Sequence, residues 1–441
     1  MHTKPTHNPQ AILWMSTLGF TVCFAVWVMF GVIGNPIADE LGLSETQFGL
    51  LTAMPILTGS LARLPIGMLS DRFGGRIVYF LLMLSTVLPI YLLQFATSYW
   101  QLLALGLLVG LTGASFSVGI AYVARAFPRE RQGFAMGIFG AGNAGAAVTK
   151  FVAPGIVVAF GWQYVSTIYA IAMLIMAFAF WAFTSPDPQE SAEDRPGLRE
   201  QLALLKDPRV LKYCQYYSVV FGGYVALSLY LTRYFMAEYG VGLQLAALIA
   251  SIFVLPSGVI RALGGWLSDR FGAHSVTWWC MWVSAICLFL MSYPHTEYTV
   301  HTTNGPVSFS FGLNIVLFTF LLFLVGVAWG FGKASVFKYV SDDFDRNIGV
   351  VSGIVGLAGG LGGFLLPIKF GMLLDLTGVP STIFMLLFGV TVVSLIWMWW
   401  TERRPAVSPT APGEPHRWQS FNSAGGGPAA ASGGSGPAQR G

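Results

Sequence analysis

Arg63 and Arg261 each interrupt a long apolar run, in the matching stretches GSLARLPIGMLSDRFGGR from Gly59 and GVIRALGGWLSDRFGAH from Gly258. The stretches align at an offset of 198 residues, which also pairs Gly67 with Gly265, Asp71 with Asp269 and Arg72 with Arg270. A repeat of this kind reads as two halves of one ancestral unit. Every Asp and Glu falls in a loop or near a helix end, Asp375 being the deepest, so no carboxylate near the midplane neutralises the two arginines. Uncompensated charge at membrane depth marks a pathway, and the economical counter-charge is a bound anion, the alternative being a structural pair satisfied by backbone carbonyls. A guanidinium is planar, offers parallel donors and fits the oxygens of planar or tetrahedral oxyanions. Two facing forks suit a small planar oxyanion, while carboxylates and phosphate stay open on charge alone.

The elements that must hold this pair follow from composition. The 441 residues are 55% hydrophobic and 10% charged, too little polar surface for a soluble domain of this length. Crossing ~30 Å of hydrocarbon takes about 20 apolar residues per helix. Twelve runs satisfy this, near 11–34, 46–70, 75–96, 100–124, 133–160, 163–184, 210–237, 243–268, 274–294, 309–337, 348–374 and 379–401. The expected fold is therefore an all-α integral membrane protein of twelve transmembrane helices in two pseudo-symmetric six-helix bundles. One bundle is expected over 1–184 and the other over 210–401, joined by a cytoplasmic linker at 185–209 and followed by a disordered cytoplasmic tail at 402–441. His295 to Val307 reads as a polar external loop. Basic residues concentrate after segments 2, 4, 8 and 10, which places both termini in the cytoplasm. Cys23, Cys214, Cys280 and Cys287 lack metal-ligand spacing, and all six histidines read as lying outside the spans, so neither a metal site nor a histidine proton relay is expected.

Glycine supplies a second constellation. Segment 5 reads GIFGAGNAGAAVTKFVAPG from Gly137, and segment 11 reads GIVGLAGGLGGFLLP from Gly353. Interior glycine costs roughly 1 kcal/mol relative to alanine, so something must favour Gly140, Gly142, Gly145, Gly356, Gly359, Gly360, Gly362 and Gly363. Close helix packing is one reason; bare backbone open to sliding helices or to a ligand is another. Asn143 stands alone among these small residues as a neutral donor and acceptor. In the repeated loops, Asp71, Arg72, Arg76, Asp269 and Arg270 sit where a helix ends in a glycine turn, and read as a cytoplasmic latch.

The loops GMLSDRFGGR and GWLSDRFGAH resemble the signature of the major facilitator superfamily over the whole chain except its tail. GAGNAGAAV and GIVGLAGGLGGFLLP resemble the paired signatures of the nitrate/nitrite porter family within it. That resemblance implies a secondary active transporter, not an enzyme, without cofactor, moving nitrate and/or nitrite across the cell inner membrane by alternating access. It implies Arg63 and Arg261 as the anion clamp with Asn143 beside them. The run YSVVFGGY resembles the family's aromatic stretch, which implies Tyr217 as a hydrogen-bonding partner and Phe221 as a wall, with Phe30, Phe116 and Phe337 as cavity or gate aromatics. Lys150, Lys333 and Lys338 are candidate coupling residues for proton symport, against nitrate/nitrite exchange. Expected partners are nitrate, nitrite, protons and membrane lipid, with no nucleic acid, and the chain is expected to work as a monomer. A transporter of another small anion and a non-transporting membrane sensor are the competing readings.

Overall fold

The computed structural model describes residues 8–186, 204–344 and 348–403. Most of the expected linker and nearly all of the expected tail lie outside the described residues. A compact unit runs from Met1 to Trp399; of the second unit, from Trp400 onward, only the end of the last helix is described.

Ten helices among the described residues are long and apolar enough to cross a membrane, and two bent pairs bring the number to twelve. They are α1 (Pro9–Leu41), α2 (Glu45–Leu61 with Arg63–Phe73), α3 (Gly75–Phe95), α4 (Tyr99–Ala126), α5 (Phe134–Phe160), α6 (Trp162–Phe183), α7 (Pro208–Tyr239), α8 (Leu243–Val259 with Arg261–Phe271), α9 (Ala273–Met291), α10 (Ile315–Asp343), α11 (Ile348–Thr377) and α12 (Thr382–Arg403). The fold is all-α, with the first six and last six helices forming two pseudo-symmetric bundles.

Local chemistry sets the boundaries. Asn8 caps α1, its side chain accepting from Ala11 N at 3.2 Å. Ser44 and Gln47 form a reciprocal capping box that starts α2. Gly42, at φ 60°, ends α1 beyond the expected boundary at 34, because the apolar face continues through Ile37 and Ala38 despite Pro36.

The expected polar loop after segment 9 is instead a β-hairpin, β1 (Thr296–Thr302) paired antiparallel with β2 (Gly305–Phe311). Val307, Phe309 and Phe311 alternate with serines, a strand pattern that had been joined to the apolar run beginning at Ile315. Histidine 274 is also corrected: His274 lies in the first turn of α9, with Nδ1 2.8 Å from the Tyr339 hydroxyl.

Candidate functional site

Both arginines stand at the bends. Helix α2 turns by 40° between Leu61 and Arg63, and α8 by 48° between Val259 and Arg261. In α2 the cause is Pro65, which has no N–H for the Leu61 carbonyl and whose ring crowds it. The bends put each arginine first in the following helical segment.

Arg63 is buried, donating from Nη1 to Gly356 O at 2.8 Å and from Nε to Gly113 O at 3.4 Å. Gly356 belongs to α11, so this bond joins the two bundles. Arg261 makes the mirror-image approach to α5: a Cβ on Gly140 would lie 3.5 Å from Arg261 Cδ and 3.7 Å from Nε, while a Cβ on Gly356 would lie 3.6 Å from Arg63 Nη1. Each arginine thus packs against the glycine-rich helix of the opposite bundle. The rest of the motif is packing: Gly359 lies against Tyr217 and Phe221, Gly360 against Ser60, Gly362 against Ser218 and Gly363 against Val225 and Ile56, with Gly142 against Phe20 and Gly145 against Thr21 and Ala25.

Phe116 lies between the arginines, its ring 5.6 Å from the Arg63 guanidinium and 5.7 Å from that of Arg261. Phe221 and Trp27 complete the surround of Arg63, and Phe337 that of Arg261, within the ~6 Å reach of cation–π attraction. Tyr217 stacks on Phe221 at 5.1 Å and meets Phe337 edge-on at 5.0 Å, and both arginine charges act on its hydroxyl. It immediately precedes the π-helical turn Ser218–Gly222 inside α7, a distortion common at functional sites. Phe30 is buried with Gly106 of α4 nearby, and has none of these ring contacts with the arginines.

Unpartnered buried atoms accompany the arginine pair. Asn143, in the 3₁₀ turn Ala141–Ala144 of α5, is buried, and neither polar atom of its side chain has a hydrogen-bond partner among the described residues. The same holds for Arg261 Nη1 and Lys333 Nζ. Buried polar groups are nearly always satisfied, and here unpartnered groups lie on Arg261 itself and on Asn143 and Lys333. Lys333 is fully buried, its Nζ 3.5 Å above the Tyr224 ring, whose hydroxyl donates to Asn143 O at 3.3 Å. Lys150 donates to Thr232 Oγ1 at 3.0 Å, linking α5 to α7. Lys338 belongs elsewhere, paired with Asp269 at 3.3 Å and Asp342 at 2.9 Å.

Other residues of the repeated loops make contacts inside their own bundles. Asp71 pairs with Arg125 of α4 at 3.1 Å, Arg76 donates to Trp181 O of α6 at 2.5 Å, Arg72 lies over Phe73, and Arg270 over Trp266 and Phe271.

At the opposite helix ends is a cluster not expected from sequence. Glu45, first residue of α2, takes Arg233 of α7 on two prongs, Nη2 to Oε1 at 2.6 Å and Nε to Oε2 at 2.8 Å, and accepts from Tyr230 Oη at 2.8 Å. Asp375 of α11 accepts from the backbone N–H groups of Glu45 and Thr46 at 3.0 and 2.8 Å and from Thr46 Oγ1 at 2.5 Å. A cavity of about 230 Å³ adjoins it, lined by Asn35, Asp39, Glu45, Tyr230 and Arg233 among others. The available signal was Arg233 itself, a cation among loops otherwise poor in positive charge.

The twelve-helix fold with paired arginines at its helix bends is that of a polytopic membrane protein. The sequence model of the Major Facilitator Superfamily matches residues 15–367 and 234–430. The chain is 41% identical over 400 residues to a probable nitrate/nitrite antiporter, NarK1, of Thermus thermophilus, covering 88% of this chain and 90% of that protein. It is 32% identical over 401 residues to a nitrite extrusion protein of Bacillus subtilis, covering 90% and 96%. A probable nitrate transporter, NarT, of Staphylococcus carnosus is 32% identical over 394 residues, covering 89% and 96%. Among solved structures, a bacterial homologue of the human lysosomal transporter Spinster, inward-facing and occupied, superposes with a TM-score of 0.69 at 16% identity, covering 93% of this chain and all of that one, a likeness of fold alone. The chain belongs to the major facilitator superfamily and, within it, to the nitrate/nitrite porter family.

Proposed function

We propose that the protein is a secondary transporter carrying nitrate and/or nitrite across the cytoplasmic membrane by alternating access, with both termini in the cytoplasm. The observation that carries this reading is the set of unpartnered buried groups, Arg261 Nη1 and the Asn143 amide, beside a second arginine and with no buried carboxylate near them. The names of the relatives agree with that anion chemistry. The bundles at 1–184 and 210–401 rock about the site, and the anion joins Arg63 on one to Arg261 on the other. Tyr217 supplies a hydroxyl donor to the anion, and Phe116, Phe221 and Phe337 form apolar walls. Asp71, Arg72, Arg76, Asp269 and Arg270 brace the cytoplasmic end.

Purified protein in liposomes is expected to take up labelled nitrate, and uptake is expected to be lost with Arg63→Ala or Arg261→Ala. Undiminished uptake in either variant overturns the clamp. Exchange of nitrate for nitrite needs only the arginine pair, whereas proton symport needs a titrating group, for which Lys150 and Lys333 are the candidates. A pH gradient imposed without internal nitrite separates the two: accumulation supports symport, and its absence supports exchange.

A further inference from the structure

The hairpin β1–β2 carries strict two-faced patterning. Its register opposes Tyr298 to Phe309, Val300 to Val307 and Thr296 to Phe311, and directly opposed side chains share a face. The other face carries Glu297 with Ser310 and Thr299 with Ser308, whose hydroxyls lie 3.1 Å apart. One face is therefore almost wholly apolar and the other polar, yet the apolar one is uncovered: Phe309 is 57% exposed and Phe311 59%. A lone two-stranded hairpin is marginal in water, so an apolar face kept in this form needs a partner.

The position of the hairpin names the partner. It connects α9 to α10, both long apolar helices, so it lies at the membrane surface. Tyr293, just beyond α9, meets the Phe311 ring edge-on at 5.2 Å and bonds through its hydroxyl to that of Tyr298, both on the apolar face. Below Tyr293, the exposed Phe289 and Leu290 belong to an apolar groove between α9 and α12. The apolar face of the hairpin thus continues the lipid-facing surface of α9. Tyrosine at this level suits the headgroup region, where its ring is buried and its hydroxyl wetted.

We propose that the hairpin lies flat on the outer bilayer surface, with Tyr298, Val300, Val307, Phe309 and Phe311 among the lipid headgroups and upper acyl chains, and Glu297, Thr299 and Ser308 toward water. The surface serves a lipid partner, and its sidedness rests on the orientation proposed above.

The test uses full-length protein in vesicles of phosphatidylethanolamine and phosphatidylglycerol, with the four native cysteines replaced and a nitroxide attached at Phe309→Cys or Ser308→Cys. Both sites are exposed, and transport by each labelled variant reports that it is folded. Collision with oxygen, which partitions into lipid, is compared with collision with a water-soluble nickel chelate. The expected result is an oxygen-to-nickel ratio several-fold higher at 309 than at 308. Equal ratios at the two sites overturn the proposal. Protection at 309 that fades as protein is diluted into lipid also overturns it, by making a second copy of the chain the partner. The transport reading is tested separately, by nitrate uptake of the unlabelled wild-type protein, so its failure is distinguishable from loss of the accessibility contrast.

Discussion

Glu45 and Arg233 close one end of the interface between the bundles with a two-pronged ion pair, and Asp375 caps the helix that Glu45 begins. The three charges come from α2, α7 and α11, so the cluster spans both bundles. Under the proposed function this is the outer gate, and it must open in every cycle.

Replacing Glu45 by Gln keeps the shape of the side chain but removes its charge. A hydrogen bond to a charged group contributes about 1.5–3 kcal/mol, and about 1.4 kcal/mol is a factor of ten. Alkylation of Asn35→Cys, in the adjoining cavity, by an impermeant reagent is expected to speed up about tenfold or more in the Gln variant. An unchanged rate removes Glu45 from the gate.

Arg63→Lys and Arg261→Lys preserve charge and lose the fork. Arg63 uses two nitrogens at once, Nη1 on Gly356 O and Nε on Gly113 O, and an ammonium cannot reproduce that planar spacing. Both variants are expected to insert and fold yet lose most nitrate uptake. Near-normal transport would mean that positive charge alone suffices.

Two glycine variants should fail differently. A Cβ on Gly360 would come within 2.7 Å of the Ser60 Cβ, in the packed contact between α2 and α11. Overpacking of this kind costs typically 1–3 kcal/mol, so Gly360→Ala is expected to reduce folded yield and thermal stability. Gly140→Ala adds a methyl 3.5 Å from Arg261 Cδ, an ordinary contact. It is expected to leave stability near wild type and raise the KM for nitrate. A reversed pattern would show that Gly140 is purely structural.

Lys333→Met separates a functional charge from a structural one. The amino group is fully buried with no hydrogen-bond partner among the described residues, over the face of Tyr224. Removing an unpartnered buried polar group relieves a desolvation cost, so Tm is expected to hold or rise while uptake falls. A fall in Tm with uptake preserved would assign Lys333 to packing.

The helices were legible because apolar runs of span length permit few other folds, and the arginines because charge in such runs is rare. The purpose of the glycines was only half legible. Density signalled close packing, but the crossing of Arg63 to Gly356 and Arg261 to Gly140 depends on which helices meet, information that periodicity lacks. Trp27 looked like any apolar residue until its ring was found 5.5 Å from the Arg63 guanidinium. Asp375 is legible as the deepest carboxylate, but its contact with the start of α2 at Glu45, across 330 positions of sequence, is not, because acidic residues at helix ends are ordinary. The hairpin is masked in the sequence because β2 and α10 are both rich in apolar residues, with only Gly312 to Asn314 marking the change of period between them.

The ion pairs seen among the described residues differ at the two ends of the helices: Glu45 with Arg233 crosses between bundles, whereas Asp71 with Arg125 and Lys338 with Asp269 each join helices of one bundle. Under the proposed function, ties that cross between bundles favour closure on the Glu45 side. A ligand arriving from that side meets only the fraction of molecules that have opened, and its apparent dissociation constant is raised by that fraction. For a carrier of the kind proposed, the two faces of one binding site then saturate at different concentrations, a rectification that needs no difference in the groups touching the cargo.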